Sequence, residues 1–157
     1  MTLDQVKRKK AVRHIVYEIM MFNGTSIKLQ NGVQDQFEKN VLIESFAIHS
    51  RNLFDFFYTK GRKDDIAASD YIINKQIFKQ TRTKKRILDN LTRKTNKQVA
   101  HLTYSRNNYN NINKGWYVMQ ITNNMNSTIL AFLNCLEIKE KEWFKEVYKA
   151  FGIYNMP

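Results

Sequence analysis

The sequence has few of the residues that interrupt helices or cross-link a chain. It contains five glycines, one cysteine and one proline, which is Pro157 at the end. Because proline is the strongest helix breaker, no such break occurs before the last residue. The single Cys135 excludes an internal disulfide, and its apolar segment ILAFLNCL predicts a buried thiol in a reducing compartment. These scarcities predict an all-α fold and a cytoplasmic location.

Long apolar runs are also missing. The most apolar stretch, residues 128–138, is interrupted by Asn134 and Glu137 and is far shorter than the ~20 residues of a membrane-spanning helix. The first residues, MTLDQVKRKK, carry charge where a signal peptide would have its uncharged apolar core. We therefore expect a soluble protein with no membrane partner.

The motifs of common cofactor sites are absent as well. Neither GxxxxGK[ST] nor GxGxxG occurs, which argues against a nucleotide-hydrolysing fold. The three histidines and one cysteine do not have zinc-ligand spacing. A magnesium site could be imagined around Asp64, Asp65 and Asp70, although a solvated loop is the preferred interpretation. We predict no metal and no cofactor.

Acidic residues are scarce relative to basic ones. The chain has 26 Lys and Arg against 14 Asp and Glu, a net charge of +12 and a pI near 9.8. Such an excess favours polyanionic partners, of which nucleic acid is the leading candidate. The alternative is an AT-rich genome, which enriches Lys, Asn and Ile without any binding role.

Apolar periodicity predicts a single domain, residues 1–157, folded as an up-and-down bundle of four to five helices. Asn-Gly pairs bracket the segment TSIKLQ, which is either a small hairpin strand or, preferably, a connecting loop after the first helix. An Asn-rich loop is expected over residues 106–115. The predicted helices cover residues 3–22, 33–58, 75–105, 116–137 and 139–151, with a short additional helix capped by Asp64 or Ser69.

The predicted third helix carries the densest positive charge. Nine lysines and arginines lie between residues 75 and 97 against one acid, Asp89. A face of this kind suits a sugar-phosphate backbone. The candidate nucleic-acid-binding residues are Lys84, Lys85, Arg86, Lys94 and Arg106.

A histidine lies near the end of that helix, in the segment NKQVAHLTYSR. Arg93, Lys97, His101 and Tyr104 follow one another at helical spacing. RNA cleavage without a metal uses such groups, because an imidazole can move the proton of a ribose hydroxyl while cations stabilise charge on the phosphate. The alternative is a histidine that only packs and hydrogen-bonds between helices.

The predicted second helix also carries unusual polar groups, in the segment ESFAIHSRNLFDFF. Glu44, Arg51 and Asp55 share one of its faces, with His49 and Asn52 on a neighbouring stripe. The structural alternative to a functional role is an ion pair of Arg51 with Asp55 or Glu44 that holds the helices in register.

Together, SFAIHSRNLFDFF and NKQVAHLTYSR resemble the HEPN superfamily of small helical bundles, particularly branches associated with abortive infection and toxin–antitoxin pairs. That superfamily carries an Arg, often followed by Asn, with four to six residues before a His. Here Lys94, Thr95 and Asn96 occupy that window, and Lys97 gives an NKxxxH version. The resemblance implies a homodimer with a shared cleft and metal-independent endoribonuclease activity.

Three functions remain open at this point. The first is an RNA-binding protein, specifically a metal-independent endoribonuclease in bacterial defence or a toxin–antitoxin system. The second is a catalytically inactive bundle that binds a cognate protein as antitoxin or scaffold through its aromatic C-terminal helix, and the third is a DNA-binding helical protein. The candidate catalytic residues are His101, Lys97, Arg93, Tyr104, Asn96, Arg51 and Glu44.

Overall fold

A computed structural model describes residues 3–62, 64–100, 104–108 and 115–153. Within these ranges the fold is all-α with no strand, as predicted, and one isolated bridge joins Ile72 to Leu136. Single turns of 3-10 helix span Ala68–Asp70, Tyr104–Asn108 and Glu142–Phe144, and a π-helix spans Asn96–Ala100. The α-helices are α1 (Leu3–Gln30), α2 (Gln36–Tyr58), α3 (Lys75–Thr81), α4 (Lys85–Leu88), α5 (Asn90–Thr95), α6 (Val118–Asn134), α7 (Ile138–Lys141) and α8 (Lys145–Ala150).

Helices α1 and α2 pair along their lengths, and α1 continues past its predicted end. The segment TSIKLQ is helical, so both the hairpin strand and the connecting loop are wrong. Ser26 is buried and shares a 2.6 Å hydrogen bond with Thr122 of α6, which secures the last turns of α1. The chain turns at Gly32, whose φ of +88° suits glycine. Asp35 then caps α2 by accepting a 2.7 Å hydrogen bond from the backbone of Glu38.

The core is centred on Phe132 of α6. Five aromatic rings surround it at centroid distances between 5.3 and 6.4 Å. They belong to α2, to the segment after the first 3-10 turn, to α3 and to the turn between α7 and α8, so one side chain joins most of the fold. The five are Phe56, Phe57, Tyr71, Phe78 and Phe144.

The long basic helix predicted over residues 75–105 does not form. Helix α3 ends at Thr81, and the rest of the segment forms α4, α5 and the π-helix as separate elements. Long-range polar contacts hold the break: Arg82 donates to the carbonyl of Phe57, and the Thr83 hydroxyl donates to that of Asn124 at 2.9 Å. Both donors are side-chain groups that reach other helices, so they stabilise the position of the chain at the break. The irregularity expected near Asn90 does occur, because α5 begins there.

The C-terminal helix is also divided, into α7, a 3-10 turn and α8. Its aromatic stripe faces inward: Phe144, Val147 and Tyr148 are buried, whereas Trp143 and Phe151 are partly buried against the core. A partner protein therefore cannot use this stripe as a contact surface without unpacking the core. The stripe is therefore part of the core.

A buried ion pair closes the end of the fold near the start of α1. The Arg8 guanidinium donates to the carboxylate of Glu140 at 2.5 Å and to the carbonyl of Asp70 at 2.6 Å. Glu140 has no exposed surface, and one of its oxygens has no hydrogen-bond partner. Burial raises the pKa of Glu140 despite the attraction of Arg8.

Phe132→Ala should lower the free energy of unfolding by about 3–5 kcal/mol, because it removes the centre of the aromatic cluster and leaves a cavity. Denaturant titration followed by circular dichroism measures this. Phe37→Ala is the matched control, since Phe37 is 77% exposed and its loss should change stability by no more than about 0.5 kcal/mol. Equal effects of the two substitutions would contradict the central position of Phe132.

Glu140→Gln should gain stability relative to the wild type as pH rises from about 4 to 7. The folded-state pKa of Glu140 lies above its unfolded value, so ionisation in this interval costs the folded wild type free energy that the amide avoids. The difference in free energy of unfolding between Glu140→Gln and the wild type grows by up to about 1.4 kcal/mol for each unit of pKa shift. Chemical denaturation at several pH values measures it. A wild type that instead becomes relatively more stable with rising pH would show that the Arg8 pair outweighs desolvation.

Candidate nucleic-acid interface

Helix α5 forms a ridge on the outside of the fold, anchored by its buried side. Leu91 and Thr95 are buried, and the Thr95 hydroxyl donates to the carbonyl of Ala47 in α2 at 3.2 Å. Lys94 is half-buried at the side of the ridge, and the opposite side presents the exposed Arg93 and Lys97. Anchoring through one face leaves these cations at the surface, where a polyanion can reach them.

The groove between α2 and α5 brings together three of the predicted catalytic residues. Arg93, Asn96 and Lys97 line a volume of about 490 Å³ together with Asp55 and Asp89. The two acids balance the two cations, so this groove has no net positive charge among its described side chains. It can orient a polar ligand, but it is a weaker anion site than the sequence indicated.

The most important predicted residue, His101, lies outside the described residues. The π-helix ends at Ala100, and the next described residue is Tyr104, which is 95% exposed. Arg106 is exposed and donates to the carbonyl of Val99 at 3.3 Å. The placement of a histidine beside these groups therefore stays a prediction.

Arg51 and Glu44 are not part of the α2–α5 groove. The Arg51 guanidinium lies 3.7 Å from the carboxylate of Asp55, so the predicted ion pair forms with Asp55. Burial raises the pKa of Asp55, and Arg51 opposes that shift. Glu44 is exposed and lies three turns before Asp55, about 16 Å away from it along α2. Asp55 lines both this groove and the cleft that contains Arg51, so Arg51 borders the groove, whereas Glu44 lies apart from it.

Arg51 instead lines a cleft of about 800 Å³ at the junction of α1, α2 and the loop after α2. Four acidic residues share this cleft with four basic or histidine side chains, so its charge is mixed. His14 is the exposed histidine of this group and accepts a hydrogen bond from Arg13 at 3.3 Å. The cleft therefore has titratable groups but lacks the positive field that a polyanion requires.

His49 has a structural role. It is buried, and its Nδ1 lies 2.7 Å from the carboxylate of Glu18, which also accepts a hydrogen bond from Asn52 at 3.1 Å. The ring of Tyr17 packs edge-on against the imidazole at 5.6 Å. These contacts join α1 to α2. Sequence spacing within α2 did not reveal Glu18, because it belongs to another helix.

A second groove lies on the other side of the ridge, between α5 and α6. Its volume is about 470 Å³, and Arg93 lines it as well. The Lys94 ammonium lies 4.9 Å from the centroid of the Trp116 ring and donates to the carbonyl of Gly115. Burial lowers the pKa of Lys94. Trp116 and Tyr117 were predicted only as the start of a helix; their position next to a basic segment depends on tertiary packing.

The remaining predicted binding residues extend the positive surface. Lys84, Lys85 and Arg86 are exposed at the start of α4. The Lys85 ammonium lies 6.0 Å from the ring of Phe54, which lines the α2–α5 groove. The basic surface is therefore defined by α4, α5 and the π-helix, and its residues are Lys84, Lys85, Arg86, Arg93, Lys94 and Lys97.

Other site types have little support in the described part of the chain. No group of three or more His, Cys, Asp or Glu there is arranged to hold a metal ion. None of the described helices has both the length and the apolar character needed to span a membrane. Comparisons with protein-family models, curated proteins and solved structures gave no match.

Proposed function

We propose that the protein binds single-stranded RNA on the basic surface. The observation that supports this most strongly is the position of Arg93, which lines the grooves on both sides of α5. A sugar-phosphate chain that crosses α5 meets Arg93 with Lys94 and Lys97 beside it. Single strands are the better fit because grooves of this kind accept unpaired bases, which a duplex keeps stacked inside.

The same proposal includes a HEPN-like identity and a role in bacterial defence or a toxin–antitoxin pair. Its support is the sequence resemblance together with the all-α fold. Metal-independent cleavage requires His101 to act on RNA held by Lys97, Arg93 and Asn96, with Tyr104 close in sequence to position a phosphate. A homodimer would place two such sets in one cleft.

The outer face of the α1–α2 pair favours a second function, binding to a protein. Large apolar side chains recur there at helical spacing on both helices and are exposed. A second copy of the chain or a cognate partner protein would cover them. These residues are Tyr17, Met20, Ile27, Phe37, Val41 and Ile48.

RNA affinity should fall steeply with salt, and Lys97→Ala should reduce the magnitude of the log–log slope by about 0.7, the value of one phosphate contact on a single strand. Fluorescence anisotropy with a labelled oligonucleotide at several salt concentrations measures both. Lys28→Ala is the matched control: Lys28 is also an exposed helical lysine, but it lies at the end of α1. An affinity that does not respond to salt would contradict RNA binding and favour a protein partner.

Incubation with RNA in EDTA should yield fragments with cyclic phosphate ends, and His101→Ala should abolish them. The loss should be at least the 10²- to 10⁴-fold typical of general acid–base catalysis. His14→Ala, which removes an exposed histidine of the α1–α2 cleft, should leave cleavage unchanged. Cleavage that survives in His101→Ala would exclude His101 as the catalyst. RNA binding without cleavage by the wild type would show that the protein binds RNA but is catalytically inactive.

A further inference from the structure

The α5–α6 groove has a positively charged lining. Among its described lining residues are two cations, Arg93 and Lys94, and no acid. The α2–α5 groove has two acids and the large cleft has four. An anionic ligand would therefore meet attraction in the α5–α6 groove without the repulsion present in those two. A depression beside α3 is also lined by cations without acids, but the aromatic rings that line it are buried.

The inner wall of this groove is apolar. Leu88 and Leu91 are almost completely buried beneath it, and Ile121 is partly buried on the α6 side. A wall of this kind gains free energy when a flat apolar surface displaces water from it. The volume of about 470 Å³ lies within the range of small-ligand sites.

The opening of the groove is aromatic. The ring of Trp116 is held against the Lys94 ammonium, whereas Tyr117 is 66% exposed. Exposed tyrosine rings are sequence-tolerant stacking platforms, because every nucleobase has a π-face. Tyr117 therefore offers a stacking surface next to two positive charges.

Amide side chains supply hydrogen-bonding groups at the same place. Asn90 accepts a 2.8 Å hydrogen bond from Arg93, and both residues line the groove. Asn124 donates at 2.8 Å to the carbonyl of Gln120, leaving the exposed Gln120 amide near the opening. An amide presents both a donor and an acceptor, as the edge of a base requires.

We propose that the α5–α6 groove is a nucleobase pocket. An unpaired base enters it and stacks on Tyr117, and the adjoining phosphate binds Arg93. This inference rests on the proposed RNA-binding function and adds to it a defined site for one nucleotide. A base within a duplex has both faces covered by its neighbours and is excluded, so the pocket selects single strands.

The fluorescence of Trp116 reports on this pocket directly. The protein has two tryptophans, and Trp143→Phe leaves Trp116 as the only one. A single-stranded RNA of about ten nucleotides, within the site sizes of such proteins, should change its emission on binding. The same strand carrying abasic sites should bind more weakly and leave the emission unchanged.

Tyr117→Ala should weaken binding of the single strand by about 5- to 150-fold, the loss of one stacked base. Tyr117→Phe should restore the affinity, since it keeps the ring. Tyr117→Ala should not alter the affinity of the abasic strand. Ile138→Ala, which removes an exposed apolar side chain of α7, should have no effect in any of these titrations.

Two results would overturn the inference, and they are distinguishable. In the first, RNA binding depends on salt, but Trp116 emission does not change and Tyr117→Ala has no effect on affinity. This result would contradict the nucleobase pocket and leave the proposed RNA binding in place. In the second, none of the strands binds at low salt. This result would contradict both the proposed RNA binding and the nucleobase pocket.

Discussion

The hydrogen bond from Arg82 to the carbonyl of Phe57 sets the course of the basic segment. Phe57 lies in the last turn of α2, where carbonyl groups have no partner within the helix. The Arg82 guanidinium fills that need and also lies 4.4 Å from the Tyr58 ring centroid and 5.1 Å from that of Phe78. Helix α3 ends at Thr81, immediately before this contact. Helices α4 and α5 then follow as separate elements with exposed basic residues.

Burial of charged and polar groups recurs wherever separate elements meet. Burial lowers the pKa of Arg82, as expected for a cation that has given up part of its hydration. The Tyr58 hydroxyl lies 2.8 Å from the carbonyl of Thr83, and the Arg8–Glu140 pair joins α1 to α7. A buried charge or hydrogen-bonding group that lacks its partner costs free energy. Each of these contacts therefore favours the one arrangement of the helices in which the partners meet. The aromatic cluster around Phe132 supplies the nonspecific part of the stability.

The depressions on the surface differ in charge. The α2–α5 groove has balanced charge, the large cleft is mixed, and the α5–α6 groove is positive with an aromatic opening. Arg93 connects two of them because it stands on the crest of α5. Among these three depressions, acid-free positive charge is therefore confined to the α5–α6 groove.

The sequence by itself determined the helical class, the positions of α2 and α6 and the concentration of positive charge in residues 75–97. Those features follow from composition and from apolar spacing along one helix, which are local. Tertiary structure decided the rest: α1 continues because Ser26 binds Thr122, the basic helix breaks because Arg82 and Thr83 bond to α2 and α6, and His49 is held by Glu18. Each contact joins residues more than twenty positions apart, and no periodicity within one segment encodes its partner. The pairing of Lys94 with Trp116 belongs to the same class, so the α5–α6 groove could be found only once the helices had been placed together.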